Sequence, residues 1–277
     1  MRAGQRRIVQ VHGIDFSGAE SPAESVWLTT AEYDGQTLVV ESVRSAAEAF
    51  DATGREAVMA GLREFLTGGD VSGLDVSFGL PRAILPAGID SWQASLAWVR
   101  SMEYEDALAA QADWKDRARA SDVDGVELKR ATDRPVGASS PYSFITRHQT
   151  FHGLRDVVGP LVAEEAVSVQ PMAPRADRPA LIEIYPASTL RALELPDRTY
   201  KDDRNHPEGP AKRRQILAGL LEWGVELDEQ ARTRVLEDAG GDALDSLVAA
   251  VATAGAASDG FGVEPDRYDP LEGYIYS

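Results

Sequence analysis

Arg7-Ile-Val-Gln-Val-His-Gly-Ile-Asp15-Phe-Ser-Gly18 is the stretch on which the reading of the chain turns. An apolar, β-branched run ends in one carboxylate and passes into a turn of small residues, the pattern of a buried central strand. A strand of this kind presents its terminal Asp to a metal or phosphate beside open backbone N–H groups. The local alternative is that Asp15 hydrogen-bonds its own turn, as Asp often does. On this stretch alone the turn role is the stronger expectation. Three further acidic segments shift the balance.

Outward from that strand, Val26 to Tyr33 reads as a second strand, and Asp34-Gly35 is a two-residue hairpin signal. Gln36 to Val43 returns, which makes an antiparallel meander of three strands. Arg55 to Leu66 carries Val58, Leu62, Phe65 and Leu66 on one helical stripe and stops at Gly68-Gly69. Val71 to Phe78 is the next strand, closed by Gly79-Leu-Pro81; the helix before it implies a parallel crossover. Ser91 caps a helical stretch reaching about Arg119. From 121 to 179 the chain is polar and broken by Pro135, Pro141, Pro160, Pro171, Pro174 and Pro179. Residues 91–179 are therefore expected as an insertion, or lid, within a single domain spanning 1–277. Ala180 to Tyr185 is a short buried strand, and Ala211 to Trp223 is a helix. Gly240-Gly241 resets the chain before a last helix from Asp242 to Ala254, with Leu244, Leu247, Val248 and Val251 inward. The order predicts an α/β fold: an RNase-H-like mixed sheet, antiparallel meander plus parallel strands, flanked by helices.

Composition removes several function classes. The absence of Cys excludes disulfides, thiolate metal sites and cysteine nucleophiles, and fits a cytoplasmic protein. No apolar run reaches membrane-span length, and no signal-peptide core opens the chain, so no membrane partner is expected. The net charge of −17, from 28 basic and 45 acidic residues, argues against a broad nonspecific nucleic-acid binder, which needs a basic surface.

Four acidic segments carry the chemistry. Asp15 ends the first strand, Asp75 lies in the strand before Pro81, Glu183 sits inside Leu-Ile-Glu-Ile-Tyr-Pro186, and Asp242 and Asp245 open the last helix. A carboxylate within an apolar strand is costly unless paired, protonated or metal-bound. Converging carboxylates repel one another, a divalent cation relieves the repulsion, and oxygen-only ligands suit Mg²⁺ or Mn²⁺. Each acid also has an ordinary role: Glu183 with a structural Arg, Asp75 facing solvent, Asp242 and Asp245 as a capping pair. Asp242 and Asp245 share a face with Ala249 and Ala252, a small-residue strip that permits close approach to a sheet.

A resemblance ties these segments together. Gly13-Ile-Asp-Phe-Ser-Gly18, Asp75-Val-Ser-Phe-Gly-Leu-Pro81, Pro141-Tyr142, Gln149-Thr150, Ile182-Glu-Ile-Tyr-Pro-Ala187, Tyr200-Lys201, Asp242-Ala-Leu-Asp-Ser-Leu-Val-Ala-Ala250 and Glu272-Gly-Tyr-Ile275 follow in order. The chain resembles the domain-of-unknown-function-429 family, a group predicted to be RNase-H-like nucleases. The resemblance implies an RNase-H-like fold with Asp15, Asp75, Glu183 and the Asp242/Asp245 pair at the site. Ser77 departs from an Asp-x-Pro-x-Gly pattern.

The leading expectation is a metal-dependent phosphodiesterase. Asp15, Asp75, Glu183 and Asp245 are its catalytic carboxylates and, with Asp242, its Mg²⁺ or Mn²⁺ ligands. Arg130, Arg147 and Lys201 are its contacts to a nucleic acid or small phosphoester. A sugar-kinase-type phosphotransferase shares the sheet, and Gly13 to Gly18 resembles its first phosphate loop; no second such loop occurs. A non-catalytic ligand-binding protein is the third reading. His148-Gln-Thr-Phe-His152 has zinc-like spacing without an obvious third ligand, so it is expected to be structural or substrate-facing.

Overall fold

The computed structural model describes residues 8–277, so Arg7 of the opening stretch lies outside the described residues. In chain order the elements are β1 (Val9–Asp15), β2 (Trp27–Tyr33), β3 (Leu38–Ser45), α1 (Ala46–Phe50), α2 (Arg55–Leu66), β4 (Val71–Asp75), α3 (Trp92–Ser101), α4 (Ala107–Ala120), α5 (Arg147–His152), α6 (Gly159–Ala163), β5 (Ser168–Val169), β6 (Ala180–Ile184), α7 (Pro186–Ala192), α8 (Gly209–Trp223), β7 (Val225–Glu226), α9 (Glu229–Glu237), α10 (Asp242–Ser258) and β8 (Ile275–Tyr276). A π-helical stretch, Gly153–Val158, fuses α5 to α6.

The strands form one sheet in the order β5-β6-β4-β1-β2-β3-β7, with β8 added against β6. The β1–β2 and β2–β3 pairs are antiparallel, while β4 joins β1, and β6 joins β4, in parallel. This is the mixed sheet of an RNase-H-like fold. Helices cover both faces, which explains why β1 and β6 read as near-continuous apolar runs. On one face Ile14, Leu74 and Leu181 pack with Val58 and Leu62 of α2, Trp92 and Leu96 of α3, Trp114 of α4 and Phe151 of α5. On the other, Val11, Ala31 and Val40 pack with Ile216 and Leu220 of α8 and with Leu247, Val248 and Val251 of α10.

The placement of α10 follows from two glycines. A Cβ on Gly13 would lie 2.1 Å from the Ala250 nitrogen, and one on Gly73 would lie 1.9 Å from Thr253 Oγ1. At β1 the helix backbone therefore rests on the strand backbone, and at β4 the missing side chain makes room for Thr253. Ser246 Oγ bonds Thr29 Oγ1 at 2.8 Å and fixes the same helix to β2. The Ala strip is inward as its spacing predicts: Ala249 and Ala252 meet Ile182, Ile184 and Tyr274.

Several boundaries differ from the sequence reading. The helical stretch after Ser91 breaks into α3 and α4, and Asp106 restarts it by accepting from the Leu108 and Ala109 nitrogens. The strand ending in Asp75 does not continue to Phe78, because the Phe78 nitrogen donates to Glu183 Oε2 rather than to a strand. The insertion holds a helical run from 147 to 163, which Gly153, Gly159 and Pro160 hide from a periodicity reading. That run packs into the same core as the sheet.

Gly13→Ala should destabilise the protein at the upper end of the roughly 1–3 kcal/mol that overpacking costs. Gly255→Ala, in open space within α10, should leave stability unchanged or slightly raised. Urea denaturation of both variants reads the difference; equal stability would show that α10 is not seated on β1.

Candidate active site

Asp15 and Asp75 are the last residues of neighbouring parallel strands and are register partners. Register partners on adjacent strands point to the same face, with the backbones about 4.8 Å apart. Gly13 and Gly73, two residues earlier, face α10, so both carboxylates face it too. The first turn of that helix supplies Asp242 and Asp245. Lys201 enters from the loop before α8: its Nζ lies 2.5 Å from Asp245 Oδ2 and 3.3 Å from Asp242 Oδ1. The Tyr200 hydroxyl donates to Asp245 Oδ1 at 2.7 Å.

The loop that carries Tyr200 and Lys201 is strained and clamped. Thr199 and Asp202, on either side, both have φ +58°. Left-handed backbone costs a non-glycine residue about 1–2 kcal/mol, and such strain persists only where the surroundings over-determine it. Here Arg213, buried on α8, donates to the Tyr200 carbonyl and to Asp203, each at 2.7 Å, and to the Leu236 carbonyl at 2.9 Å. The Asp202 nitrogen donates to the Ala239 carbonyl at 2.8 Å. The Lys201 stem lies on Gly241, where an added Cβ would approach Cγ to 2.8 Å.

Capping is not the role of the acidic pair. Asp238 caps α10 instead, its Oδ2 accepting from the Ala243 nitrogen at 2.9 Å and its Oδ1 from Gly240 at 3.0 Å. That leaves Asp242 and Asp245 to Lys201.

The electrostatics are unbalanced. Burial pushes Asp15 well above the usual carboxylate range; Lys201 opposes the rise, and Asp245, Asp242 and Asp75 add to it. Burial, with Asp245 and Glu183, pushes Asp75 up to about 8 against the pull of Lys201. Asp242 is also raised by burial. Burial alone would lower Lys201, but Asp245, Asp15, Tyr200 and Asp242 hold its proton well above the ordinary value. One ammonium thus serves four carboxylates.

Glu183 does not join them. Its register partner is Leu74, not Asp75, so its side chain leaves the opposite face of the sheet. There it is bound twice by Arg130, through Nη2 to Oε1 at 2.5 Å and Nη1 to Oε2 at 2.8 Å, and by the Phe78 nitrogen at 2.9 Å. Arg130 is fully buried, with Asp133 and the Glu272 carbonyl taking its remaining donors. The expectation that Arg130 reaches a substrate phosphate is corrected: no donor is left to do so. Arg147 lies with its guanidinium carbon 4.6 Å from the Phe144 ring centroid and borders neither of the hollows described below. Glu272 is a structural hub as well: its carboxylate accepts from the Arg82 and Ala131 nitrogens at 2.7 and 2.6 Å.

A family profile described as a protein of unknown function (DUF429) matches residues 13–268. The chain belongs to the DUF429 family. No curated protein and no solved structure matches it. Among the described residues of this DUF429 chain, no helix is long and apolar enough to cross a membrane.

Two adjoining hollows open at the strand ends of the DUF429 sheet. One, of about 320 Å³, is lined by Asp15, Ser17, Gly18, Asp75, His148, Lys201 and Asp242 among others. The second, about 230 Å³, is bordered by Asp75, Ser77, Arg130, Thr146 and Glu183. Asp75, Ile145 and Gln149 line both. Gln149 was quoted in the sequence only as part of a motif; here its Nε2 donates to the Phe16 carbonyl at 3.0 Å and the Asp75 carbonyl at 2.6 Å, tying α5 across the ends of β1 and β4. His148 faces the first hollow, whereas His152 bonds Asp156 at 2.8 Å, so the histidine pair does not converge. Among the described residues no group of three or more His, Cys, Asp or Glu is arranged to hold a metal ion.

Arg130→Leu should cost about 3–5 kcal/mol, because it strands Glu183 and Asp133 as buried, unpaired charges; chemical denaturation measures it. A second outcome concerns pH. A carboxylate whose folded pKa is raised stabilises the fold at low pH and loses that contribution as pH climbs to the folded value. His12, lowered by burial to about 4, works in the opposite sense, but only up to its unfolded value near 6.5. Between pH 6.5 and 8 the raised carboxylates therefore dominate. The metal-free melting temperature should fall across that window, and Asp75→Asn should flatten the fall. A melting temperature constant over this range for the wild type would remove the strained carboxylate pair from the account.

Proposed function

We propose that this DUF429 protein is a Mg²⁺- or Mn²⁺-dependent phosphodiester hydrolase centred on Asp15 and Asp75. The observation that carries the reading is the excess of negative charge at the site: two carboxylates side by side at the ends of β1 and β4, two more on α10, Asp15 and Asp245 buried and the others half-buried, with one lysine among them. Raised acid pKa values in a hollow mark functional sites more often than structural ones.

The donor set fits a hard cation. Mg²⁺ keeps several waters and binds through one or two carboxylates plus substrate phosphate, so it needs no three-residue cage. Asp15 and Asp75 would hold it, with Asp242 at the edge of the same hollow. When bound, the ion supplies Lewis-acid stabilisation of phosphoryl charge and acidifies water. The remaining roles fall to the chain. Lys201, held in the site by Asp245 and Asp242, offers its ammonium to a non-bridging phosphate oxygen. Asp245 positions Lys201 and is itself fixed by Tyr200. Asp75, whose carboxyl burial pushes up to about 8 without metal, would have to lose that proton to serve as an anionic oxygen ligand, so metal binding should tighten as pH rises toward 8. Glu183 acts only from beneath, holding the Phe78 turn and Arg130.

The phosphotransferase alternative loses ground at Gly18. An added Cβ there would lie 2.2 Å from the His148 carbonyl carbon, so the turn's glycine makes room for α5 rather than for a phosphate.

The test pairs activity with binding. Cleavage of oligonucleotides and of bis(4-nitrophenyl) phosphate should require Mg²⁺ or Mn²⁺ and stop with chelator. Asp15→Asn should lower the rate by ~100-fold or more, the loss typical when one electrostatic stabiliser is removed. The variant should melt at or above the wild-type temperature without metal, since one repelling charge is gone. Equal Mn²⁺-induced stabilisation of wild type and Asp15→Asn would falsify the role of Asp15.

A further inference from the structure

The two most exposed large apolar side chains among the described residues are neighbours, and one of them lines the candidate site. Phe144 is 74% exposed and Ile145 is 78% exposed. Ile145 borders both hollows. The turn that presents them is braced: the Ser143 nitrogen and the Thr146 hydroxyl donate to the Ser140 carbonyl at 3.0 and 2.6 Å, and the Ser143 and Thr146 hydroxyls meet at 2.9 Å. Tyr142 anchors it below, fully buried, its hydroxyl accepting from the Leu128 nitrogen at 3.0 Å and its carbonyl from Gln111 Nε2 at 2.8 Å. The turn therefore holds its apolar pair in water instead of folding it inward. Arg147 lies against the Phe144 ring, its guanidinium carbon 4.6 Å from the centroid.

We propose that Phe144 and Ile145 form a stacking platform for a nucleobase, and that the phosphodiester cleaved at Asp15 and Asp75 belongs to single-stranded nucleic acid. The proposal rests on the hydrolase reading for the phosphate position and on the turn for the base. Three observations favour this substrate. An aromatic ring with a guanidinium beside it is the arrangement on which unpaired bases stack regardless of sequence. Ile145, next in sequence to the ring, lines the hollow that contains Lys201, so a strand whose base stacks on Phe144 has a lysine for its phosphate one residue's reach away. The net charge of −17 disfavours duplex, whose binding draws on many phosphate contacts, whereas one stacked base and one phosphate need few cations.

The experiment measures equilibrium binding, by fluorescence anisotropy, of a labelled single-stranded octamer and of an abasic octamer with the same backbone, with Mg²⁺ and with chelator. Wild type should bind the base-bearing strand about tenfold more tightly than the abasic one. Phe144→Ala should abolish that difference and leave abasic binding unchanged, while Phe144→Trp should retain it. Melting temperatures of both variants should match wild type, as the position is exposed. Three results overturn the platform: no binding of either strand, equal loss on both strands, or wild-type discrimination in Phe144→Ala. Lipid-vesicle binding that depends on Phe144, without strand binding, assigns the tip to a membrane surface and also overturns it. Discrimination by bases with no metal-dependent cleavage sinks the hydrolase reading and leaves the platform standing. Metal-dependent cleavage without discrimination does the reverse.

Discussion

The close seating of α10 on the glycines of the two central strands is the constraint on which the rest of the structure depends. Gly13 and Gly73 give the helix no side chain to ride over. Its first turn is thereby brought down to the level of the strand ends, where Asp15 and Asp75 emerge. A helix seated a side chain's thickness further out would leave Asp245 and Lys201 too distant to act on either strand carboxylate. The glycines thus set the geometry of charges that lie two residues beyond them.

The charged centre works against the fold that carries it. Its carboxylates are buried beyond the reach of full hydration, and one ammonium offsets them only in part. Stability comes from elsewhere: from two apolar layers on the sheet faces, and from a clamp around each acidic segment. Arg213 holds the Lys201 loop, Asp238 caps α10 so that its first-turn acids stay available, and Gln149 straps the ends of β1 and β4. The cluster persists because its surroundings leave it no other conformation.

Much of this was legible in the residues. The Asp34-Gly35 hairpin, the helix from Arg55 to Leu66 and the strand-terminal position of Asp15 follow from local chemistry, and the structure reproduces them, whereas the strand read through to Phe78 stops at Asp75. Glu183 was not legible as a separate case. All five residues of β6 are buried, so no alternation marks which face each side chain takes, and the face is decided by register with β4. The partners of Arg130 were hidden for a similar reason: Glu183 and Glu272 are distant in sequence, although Asp133, three residues on, was in view. The cap of α10 was misassigned because Asp238 and Asp242 flank the same pair of glycines, and the left-handed Gly241 decides between them. The fold class rested on patterns that neighbours in sequence enforce. The site's inner arrangement rested on contacts between segments far apart.

The Arg130 junction has a consequence for the order in which the protein is made. One guanidinium joins a strand residue 53 positions downstream to a carbonyl 142 positions downstream. During synthesis the insertion emerges with Arg130 well before either partner, and the arginine must stay hydrated until both arrive. Contacts this far apart form late and slow the final step of assembly. A ribosome-bound chain lacking residues beyond 271 would hold the meander, the crossover helix and α10, yet leave Arg130 and the Arg82 and Ala131 nitrogens without Glu272. The strand ends would be formed before the surface around them closed, so the hollow at Asp75 would be among the last features of the molecule to take shape.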